Sequence, residues 1–253
     1  MIYVTGDCHS EFDKLSHRQF PAQKELTRED YVIVCGDFGI FWEREMSSDE
    51  RYWMKWLGEK PYTVIFVDGN HENFDRLYSC EVVDFLGGRA RKLSDNIYQL
   101  MRGEVYEIDG KTIFAMGGAA THDFSYILNP ALFDSDEEFR ETARKLRKRN
   151  KKYRVLGESY WAEELPTEEE LQNGLLNLGR VGFEVDYVIT HCAPLSVLRR
   201  FKCIRIEDNS LTRYFDMLLG RLSFRHWFFG HYHEDVVIDD RFTMVNRNII
   251  PLT

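Results

Sequence analysis

The chain begins Met1-Ile2-Tyr3-Val4-Thr5-Gly6-Asp7-Cys8-His9, a short apolar run that stops at a glycine and is followed by an acid and an imidazole. Such a run predicts a buried strand. Side chains alternate along an extended segment, so we expect Asp7 and His9 to point to one side and Cys8 to point into the core. A carboxylate and an imidazole on one side of a strand end can bind one metal ion. Because this pair occurs by chance in many chains, it gains meaning only if similar residues follow later strands.

Two further strands are predicted to end in the same way. Tyr31–Cys35 is a continuous apolar run followed by Gly36-Asp37, and Thr63–Val67 is followed by Asp68-Gly69-Asn70-His71-Glu72. Runs of this kind are typical of strands buried on both faces. Predicted helices separate the strands, which indicates parallel strands joined by helical crossovers. In open sheets of this class the ligand site lies beyond the carboxyl ends of the strands.

The second half of the chain repeats the pattern. The predicted strand at residues 185–190 is followed by His191, and the one at residues 225–229 is followed by Gly230-His231-Tyr232-His233. The other predicted strands cover residues 97–101, 105–108, 112–116, 236–238 and 242–246, and the predicted helices cover residues 11–20, 50–57 and 135–153 and open again near residue 166.

Composition limits the class of protein. The chain has 253 residues, of which 43% are hydrophobic, and a formal net charge of -9 with a pI near 5.4. This length and hydrophobic content predict one domain over residues 1–253. An acidic surface repels bulk nucleic acid and anionic lipid, which disfavours a general DNA-binding or membrane-binding protein. The sequence does not predict an oligomeric state.

The cysteines and the first residues of the chain indicate the cellular compartment that we expect. The chain contains an odd number of cysteines with no C-x-x-C spacing: Cys8, Cys35, Cys80, Cys192 and Cys203. This predicts reduced thiols rather than disulfides or a zinc ribbon. We expect no signal peptide, since the first residue leads directly into a strand, and no apolar run approaches the roughly 20 residues that span a bilayer. We therefore expect a cytoplasmic protein without a membrane segment.

Together, the strand ends carry two carboxylates, one amide and four imidazoles, leaving His71 aside. The residues are Asp7, His9, Asp37, Asn70, His191, His231 and His233. This set is too large for a single tetrahedral ion. Mixed imidazole and carboxylate ligands are typical of manganese, iron, nickel or zinc, and a bridging carboxylate holds two such ions ~3.5–4 Å apart in two-metal hydrolases. We predict a centre of two divalent ions, with manganese as the first candidate.

The order of these motifs resembles the calcineurin-like metallophosphoesterase superfamily. The shared pattern is D-x-H, G-D, G-N-H-E, T-H-x-x-P and G-H-x-H, and it extends from Asp7 to His233. The flanking sequence, such as F-V-D-G-N-H-E-N-F-D, is similar to that of a group of small bacterial metallophosphoesterases whose substrates are generally undefined. The resemblance implies an α/β fold of two facing mixed β-sheets flanked by helices. Residues 135–153 would form a charged helical insertion in that fold.

The resemblance also implies which residues would bind each ion. One ion would be held by Asp7, His9, Asp37 and His233. The other would be held by Asp37, Asn70, His191 and His231. Asp37 would bridge the two ions. His71 would bind no metal and would stabilise or protonate the leaving oxygen, and we expect Glu72 or another carboxylate to orient it.

The implied reaction is hydrolysis of a phosphate ester. A metal-bridging hydroxide would attack the phosphorus in line, without a covalent phospho-enzyme. His71 suits the acid role because the pKa of an unperturbed imidazole is about 6.5. The substrate would be a phosphorylated small molecule or a nucleotide.

The second motif departs from that of the protein Ser/Thr phosphatases of this superfamily. Those read G-D-x-V-D-R-G and keep an arginine after G-N-H-E, whereas this chain continues from Asp37 as Phe38-Gly39-Ile40-Phe41-Trp42-Glu43 and has Asn73 after Glu72. A dedicated phosphoprotein phosphatase is therefore disfavoured. One alternative is a nuclease or cyclic-nucleotide phosphodiesterase that binds a polyanion through the basic residues of 135–153. Another is a metal-stabilised binding scaffold without catalysis, which the complete ligand set argues against.

Two side chains outside the ligand set are candidate substrate-binding residues. Arg154 matches an arginine that stands shortly before an S-W-W stretch in the small bacterial group, and a guanidinium can bind phosphate in a bidentate way. The alternative is that Arg154 is a structural partner for Asp123. His122 lies in a loop that we expect to face the site. The charge run at 135–153 is either a solvated helix or a positive rim that recruits an anionic substrate.

Overall fold

Two β-sheets face each other, and helices cover their outer sides. The structure, a computed structural model, describes residues 1–200 and 208–252. The described residues confirm the predicted α/β class of two mixed sheets flanked by helices. Cys203 lies outside the described residues, so its reduced state stays a prediction.

Most elements fall where the sequence patterns predict them. In chain order the strands are β1 (Ile2–Thr5), β2 (Tyr31–Cys35), β3 (Thr63–Val67), β4 (Glu81–Phe85), β5 (Gly88–Ser94), β6 (Ile97–Leu100), β7 (Glu104–Ile108), β8 (Lys111–Met116), β9 (Tyr126–Leu128), β10 (Tyr153–Val155), β11 (Glu184–Thr190), β12 (Ser223–Phe229), β13 (Val236–Val237), β14 (Phe242–Met244) and β15 (Ile250–Leu252). The α-helices are α1 (Ser48–Gly58), α2 (Phe74–Tyr78), α3 (Asp136–Lys148), α4 (Glu168–Arg180), α5 (Leu195–Leu198) and α6 (Ser210–Leu219).

The first sheet has, among the described residues, seven strands in the order β15-β1-β2-β3-β6-β5-β4. Strands β1, β2, β3 and β6 run parallel, whereas β15 and β5 pair antiparallel at either side of them. The carboxyl ends of β1, β2 and β3 therefore meet at one edge of the sheet, as the sequence predicts for a ligand site.

The second sheet has six strands within the described ranges, in the order β13-β14-β12-β11-β8-β7. Strands β8, β11, β12 and β14 are parallel. The predicted strands at residues 105–108 and 112–116 form a hairpin, and its turn residues Asp109 and Gly110 have φ of 52° and 69°. Two positive φ angles are what a tight hairpin turn requires.

The strands of the first sheet are continuously apolar because both of their faces are covered. Along β2, Val32 and Val34 belong to the core under α1, while Ile33 and Cys35 face the second sheet. Trp53 and Trp56 of α1 pack against the first of these cores. Helices α4, α5 and α6 cover the other side of the second sheet.

The charged segment forms a helical excursion, as predicted, but its helix ends at Lys148, and residue 153 already belongs to a strand. It consists of α3 and of the parallel pair β9 and β10 that flanks it. Ser135 caps the helix by accepting a hydrogen bond from the backbone N–H of Glu138 at 3.3 Å. Acids in the first turn and bases in the last suit the helix dipole. Ala143 is its buried residue, whereas the basic side chains of α3 are exposed and available to solvent or to a partner.

Some predicted elements differ. The helix predicted at residues 11–20 is wrong, since only a short 3-10 turn forms at Asp13–Leu15. The strands β4 and β5 were not predicted. β5 is largely polar, and β4 is the edge strand, where even Val82 is 47% exposed.

Among the described residues, Cys8, Cys35, Cys80 and Cys192 form no disulfide with one another. Within the two described ranges, each helix is too short or too polar to cross a lipid bilayer.

Candidate metal centre

The predicted ligands lie together where strands of both sheets end. The first sheet supplies Asp7, His9, Asp37 and Asn70, which follow β1, β2 and β3. The second sheet supplies His191, His231 and His233, which follow β11 and β12. The centre therefore lies across the junction of the two sheets rather than in one of them.

Four of these residues form a first cluster, in which one ligand atom of each lies within 4.8 Å of the others: Asp7, His9, Asp37 and His233. Nε2 of His233 is 3.2 Å from Oδ2 of Asp7 and 3.0 Å from Nε2 of His9. Nε2 of His9 is 3.6 Å from Oδ2 of Asp37. Lone-pair atoms that crowd around one point in this way are typical of the ligands of an ion.

A second cluster shares Asp37 with the first. Ligand atoms of Asp37, His191 and His231 lie within 4.8 Å of one another. Nε2 of His191 is 3.3 Å from Oδ1 of Asp37 and 3.3 Å from Oδ1 of Asn70. Nδ1 of His191 lies 2.7 Å from the carbonyl oxygen of Cys35. Because a carbonyl can only accept a hydrogen bond, Nδ1 carries a proton and Nε2 is the atom that faces the cluster.

One oxygen of each carboxylate has no hydrogen bond from a described residue. These atoms are Oδ2 of Asp7 and Oδ2 of Asp37, and both are buried. Their other oxygens are bonded, since Oδ1 of Asp7 accepts from the backbone of His231 at 3.0 Å and Oδ1 of Asp37 accepts from that of His71 at 2.8 Å. A buried carboxylate oxygen without a partner is costly unless a cation compensates it. The donor set therefore fits divalent ions.

The electrostatics of the clusters favour a cation. Burial alone would raise the pKa of Asp7 and Asp37, but His233 and His9 hold the pKa of Asp7 low, and His191 holds that of Asp37 low. Burial would lower the pKa of His191, whereas the two aspartates raise it to about 10. The carboxylates thus stay charged and draw positive charge into a buried position. A divalent ion supplies that charge and displaces the proton from the imidazole.

Two glycines allow ligands of different strands to approach one another. A Cβ on Gly69 would clash with Oδ1 of Asp37, and a Cβ on Gly230 would clash with Oδ1 of Asp7. Neither glycine has φ in the left-handed region. The glycines of the sequence motifs G-N and G-H therefore leave space for a carboxylate of another strand.

Backbone strain is concentrated at the predicted ligands. Nine non-glycine residues have positive φ within the described ranges, and four of them are predicted ligands, with φ of 48°, 45°, 71° and 55°: His9, Asp37, His231 and His233. Residues in this region are uncommon and cluster at functional sites. Since β1 ends at Thr5, Asp7 and His9 are brought together by a left-handed turn and not by the alternation of a strand.

His71 lies beside the clusters. Its ring centroid is 5.2 Å from that of His9, and burial is the main cause that lowers its pKa. Glu72 is not the carboxylate that orients it, because its two oxygens accept the backbone N–H groups of Phe38 and Gly39 at 2.8 and 3.0 Å. Glu72 therefore fixes the turn that follows Asp37.

Lys14 is a supporting residue that the sequence did not reveal. Its side chain is buried, and Nζ donates to the backbone oxygens of Gly6, Asp7 and Asn246 at 2.7, 2.7 and 2.9 Å. These bonds fix the turn that carries the first ligand and join it to the segment after β14. A lysine in a segment predicted to be an ordinary helix carries no signal of such a role.

A buried ion pair supports the loop after β3. Asp68 accepts hydrogen bonds from Nε and Nη2 of Arg102 at 2.9 and 2.5 Å and from Nε2 of Gln99 at 2.8 Å. Nη1 of Arg102 also donates to Glu170 of α4 at 3.1 Å. The loop that carries Asn70 is thereby anchored to a helix of the other sheet.

A cavity of about 490 Å³ opens over the clusters, and both predicted substrate-binding residues, Arg154 and His122, line it. Nη2 of Arg154 donates to Oδ1 of Asp123 at 2.8 Å. Burial would raise the pKa of Asp123, but Arg154 holds it below its usual value. The two alternatives for Arg154 are therefore compatible, since the residue both pairs with Asp123 and faces the cavity.

The chain is similar to known phosphoesterases. A sequence profile of the family described as calcineurin-like phosphoesterase matches residues 1–235. Over 137 residues the chain is 31% identical to lariat debranching enzyme A of Xenopus laevis. This match covers 49% of the chain but only 24% of the length of that enzyme.

Among solved structures, the phosphopantetheinyl hydrolase of Mycobacterium tuberculosis aligns with the chain. The alignment covers 97% of this chain and 89% of that one, with a TM-score of 0.43 and 15% identity. This degree of likeness supports no conclusion on its own.

Proposed function

Because the chain belongs to the calcineurin-like phosphoesterase family, we propose that it hydrolyses phosphate esters at a centre of two divalent ions. The family makes it a metal-dependent phosphoester hydrolase, so the alternative of a scaffold without catalysis is not retained. The observation that carries the proposal is the position of Asp37, whose carboxylate belongs to both ligand clusters. One ion would be held by Asp7, His9, Asp37 and His233, and the other by Asp37, Asn70, His191 and His231.

The residues of the chain would each have a distinct part. Bound divalent ions neutralise phosphate oxygens and make hydroxide available from water near neutral pH. Asp37, with one oxygen free of hydrogen bonds from described residues, would set the spacing of the two sites. His71, which lines the cavity, would stabilise or protonate the leaving oxygen. Arg154 would hold a phosphate oxygen while Asp123 keeps its guanidinium in place.

The metal, the substrate and the compartment belong to the same proposal. We propose manganese as the first candidate metal, with iron, nickel and zinc as alternatives, since imidazole and carboxylate ligands suit all four. The substrate would be a phosphorylated small molecule or a nucleotide that enters the cavity of about 490 Å³. We place the reaction in the cytoplasm, where thiols such as Cys8 and Cys35 stay reduced. We also keep the prediction that residues 1–253 form one domain.

A substrate panel tests the proposal. The metal-free protein would be reloaded with manganese, iron, nickel or zinc and assayed on phosphate monoesters and diesters, with bound metal measured in parallel. We expect two metal equivalents per chain, and fewer in Asp37→Asn together with a loss of hydrolysis. Asp95→Asn, an exposed carboxylate in the turn after β5, is the matched control and should behave as the parent. A single equivalent at full activity would contradict the two-metal centre.

A phosphodiesterase or nuclease that binds a polyanion is a second candidate. The observation in its favour is that the basic insertion ends at the cavity. Burial, the largest single cause, would raise the pKa of Asp123 there, and both Arg154 and Lys152 lower it. A chain of phosphates that contacts the insertion would thus lead toward the metal ligands. The similarity to a lariat debranching enzyme, which acts on RNA, agrees with this candidate.

A further inference from the structure

Trp42 exposes its indole at the mouth of the candidate centre. The side chain is 37% exposed, and its ring centroid lies 5.8 Å from that of His71, with 38° between the ring planes. Tryptophan side chains are highly buried on average. An apolar face that stays open beside polar metal ligands is therefore available to a substrate.

Trp42 lines a second cavity that adjoins the first. This cavity has a volume of about 300 Å³ and is also lined by His9, His71 and Arg154. His71 and Arg154 line the cavity of about 490 Å³ over the ligand clusters as well. A substrate whose phosphate lies over the clusters would thus place its organic part against Trp42.

The loop of Trp42 is fixed to the turn that carries His71. Nδ2 of Asn73 donates to the backbone oxygens of Trp42 and Glu43 at 3.3 and 3.2 Å, and its backbone N–H donates to Phe41 at 3.0 Å. Asn73 is also the N-cap of α2 and accepts from the backbone of Arg76. Because Asn73 follows His71 by only two positions, the indole and the imidazole keep a defined relation to each other.

We propose that Trp42 determines specificity by stacking on the base of a nucleoside phosphate whose phosphate group lies at the metal centre. An indole presents a planar apolar face, which favours a planar aromatic ring over a sugar or an aliphatic chain. Trp42 stands next to His71, the residue proposed to act on the leaving oxygen, so the base belongs to the leaving group. The inference rests on the proposed function and names the substrate class of that site.

Binding of two phosphonates tests the inference. The methylene phosphonate analogues of adenosine monophosphate and of ribose 5-phosphate differ only at C1′, which carries adenine in one and a hydroxyl in the other, and their C–P bond resists hydrolysis. Calorimetry on the manganese-loaded protein should show that the adenosine compound binds about 5- to 150-fold more tightly. Trp42→Ala should remove this difference without changing the affinity for the ribose compound, and Trp42→Phe should keep most of it. Tyr52→Ala, which removes an exposed aromatic ring on α1, should leave both affinities unchanged.

The outcomes separate the inference from the function on which it rests. Equal affinity of the parent protein for the two phosphonates would overturn the role of Trp42 while the phosphate site stands. An equal loss of both affinities in Trp42→Ala would assign a structural role to the indole and would overturn it too. If the parent binds neither phosphonate and hydrolyses no ester with any metal, the proposed function itself fails.

Discussion

Gly69 lies directly on Asp37, so that a Cβ at position 69 would clash with Oδ1 of the carboxylate shared by both clusters. The same oxygen accepts a hydrogen bond of 2.8 Å from the backbone N–H of His71. The loop after β3 therefore sets the position of the proposed bridging ligand. The proposed metal centre therefore requires a residue without a Cβ at position 69.

Replacing this glycine should damage the centre. In Gly69→Ala the added methyl would displace the Asp37 carboxylate, so we expect fewer than two metal equivalents and a fall in turnover of about 100-fold, the usual cost of a misplacement near 1 Å. Bound metal and steady-state hydrolysis are the measurements. Gly58→Ala, at the end of α1 where an added Cβ meets nothing within 4 Å, should retain metal and activity. Full metal content and activity in Gly69→Ala would contradict this account of the loop.

Replacing His71 should separate catalysis from metal binding. His71 belongs to neither ligand cluster but lines the cavity above them. We expect His71→Ala to keep its full metal content while kcat falls by about 10²- to 10⁴-fold, the range for loss of a general acid. The exposed His17→Ala is the matched control. Loss of an ion in His71→Ala would show that the residue is a ligand, against the assignment.

Lys14→Met should lower the stability of the protein and loosen the turn that carries Asp7. It would leave three backbone oxygens without their buried donor, at Gly6, Asp7 and Asn246. We expect the free energy of unfolding of the metal-free protein to fall by roughly 3 kcal/mol, with weaker metal binding besides. Denaturant titration and metal calorimetry measure the two effects. Lys24→Met, at an exposed position nearby, should change neither, and unchanged stability in Lys14→Met would rule out the anchoring role.

Stability should depend on pH through Glu164. Burial raises the pKa of this carboxyl group from 4.5 to about 7, against the hydrogen bonds from Thr121. The folded protein thus binds this proton more tightly than the unfolded chain. Its contribution is complete below pH 4.5 and is lost as the pH rises through 7. We expect Glu164 to account for a loss of roughly 2.5 kcal/mol between pH 5 and pH 8 in the metal-free protein, in addition to the loss from the raised pKa of His191. Glu164→Gln should make the fall in stability smaller by that amount, and the exposed Glu163→Gln should keep the full fall; identical profiles for the parent and Glu164→Gln would contradict the prediction.

Removal of charge from the insertion distinguishes the two candidate functions. If a polyanion binds there, Lys148→Gln combined with Lys151→Gln should lower kcat/KM on an oligonucleotide. The dependence of log kcat/KM on log salt should also become shallower, by roughly 0.7 for each phosphate that no longer has a lysine partner. Hydrolysis of a small ester should not change. Lys24→Gln combined with Lys55→Gln is the matched control, and equal behaviour of the two double variants would exclude a polyanion path over α3.

The sheets and the convergence of the candidate ligands could be predicted because both leave local patterns. The apolar run Tyr31–Cys35 is buried on both faces, and Asp37 follows it at the point where a parallel strand ends. The supporting contacts could not be predicted in this way. Lys14 bonds to Asn246 across 232 positions, and Arg102 bonds to Asp68 across 34, so no local pattern records either pair.

The turns at the ligands also escaped prediction in part. The sequence places Asp7 and His9 on one side of a strand, and they do meet, but through a positive φ at His9 that strand periodicity does not predict. Exposure of Trp42 could not be inferred either, since an aromatic residue after a buried strand is more often part of the core.

The division of the proposed ligands between the two sheets has a thermodynamic consequence. Asp7, His9, Asp37 and Asn70 come from one sheet, and His191, His231 and His233 from the other. An ion held by ligands of both acts as a removable cross-link, so binding of metal and docking of the sheets are linked equilibria. Each tenfold excess of free ion over its Kd adds about 1.4 kcal/mol to the docked state. The affinity for metal is therefore also a measure of how firmly the two layers hold together.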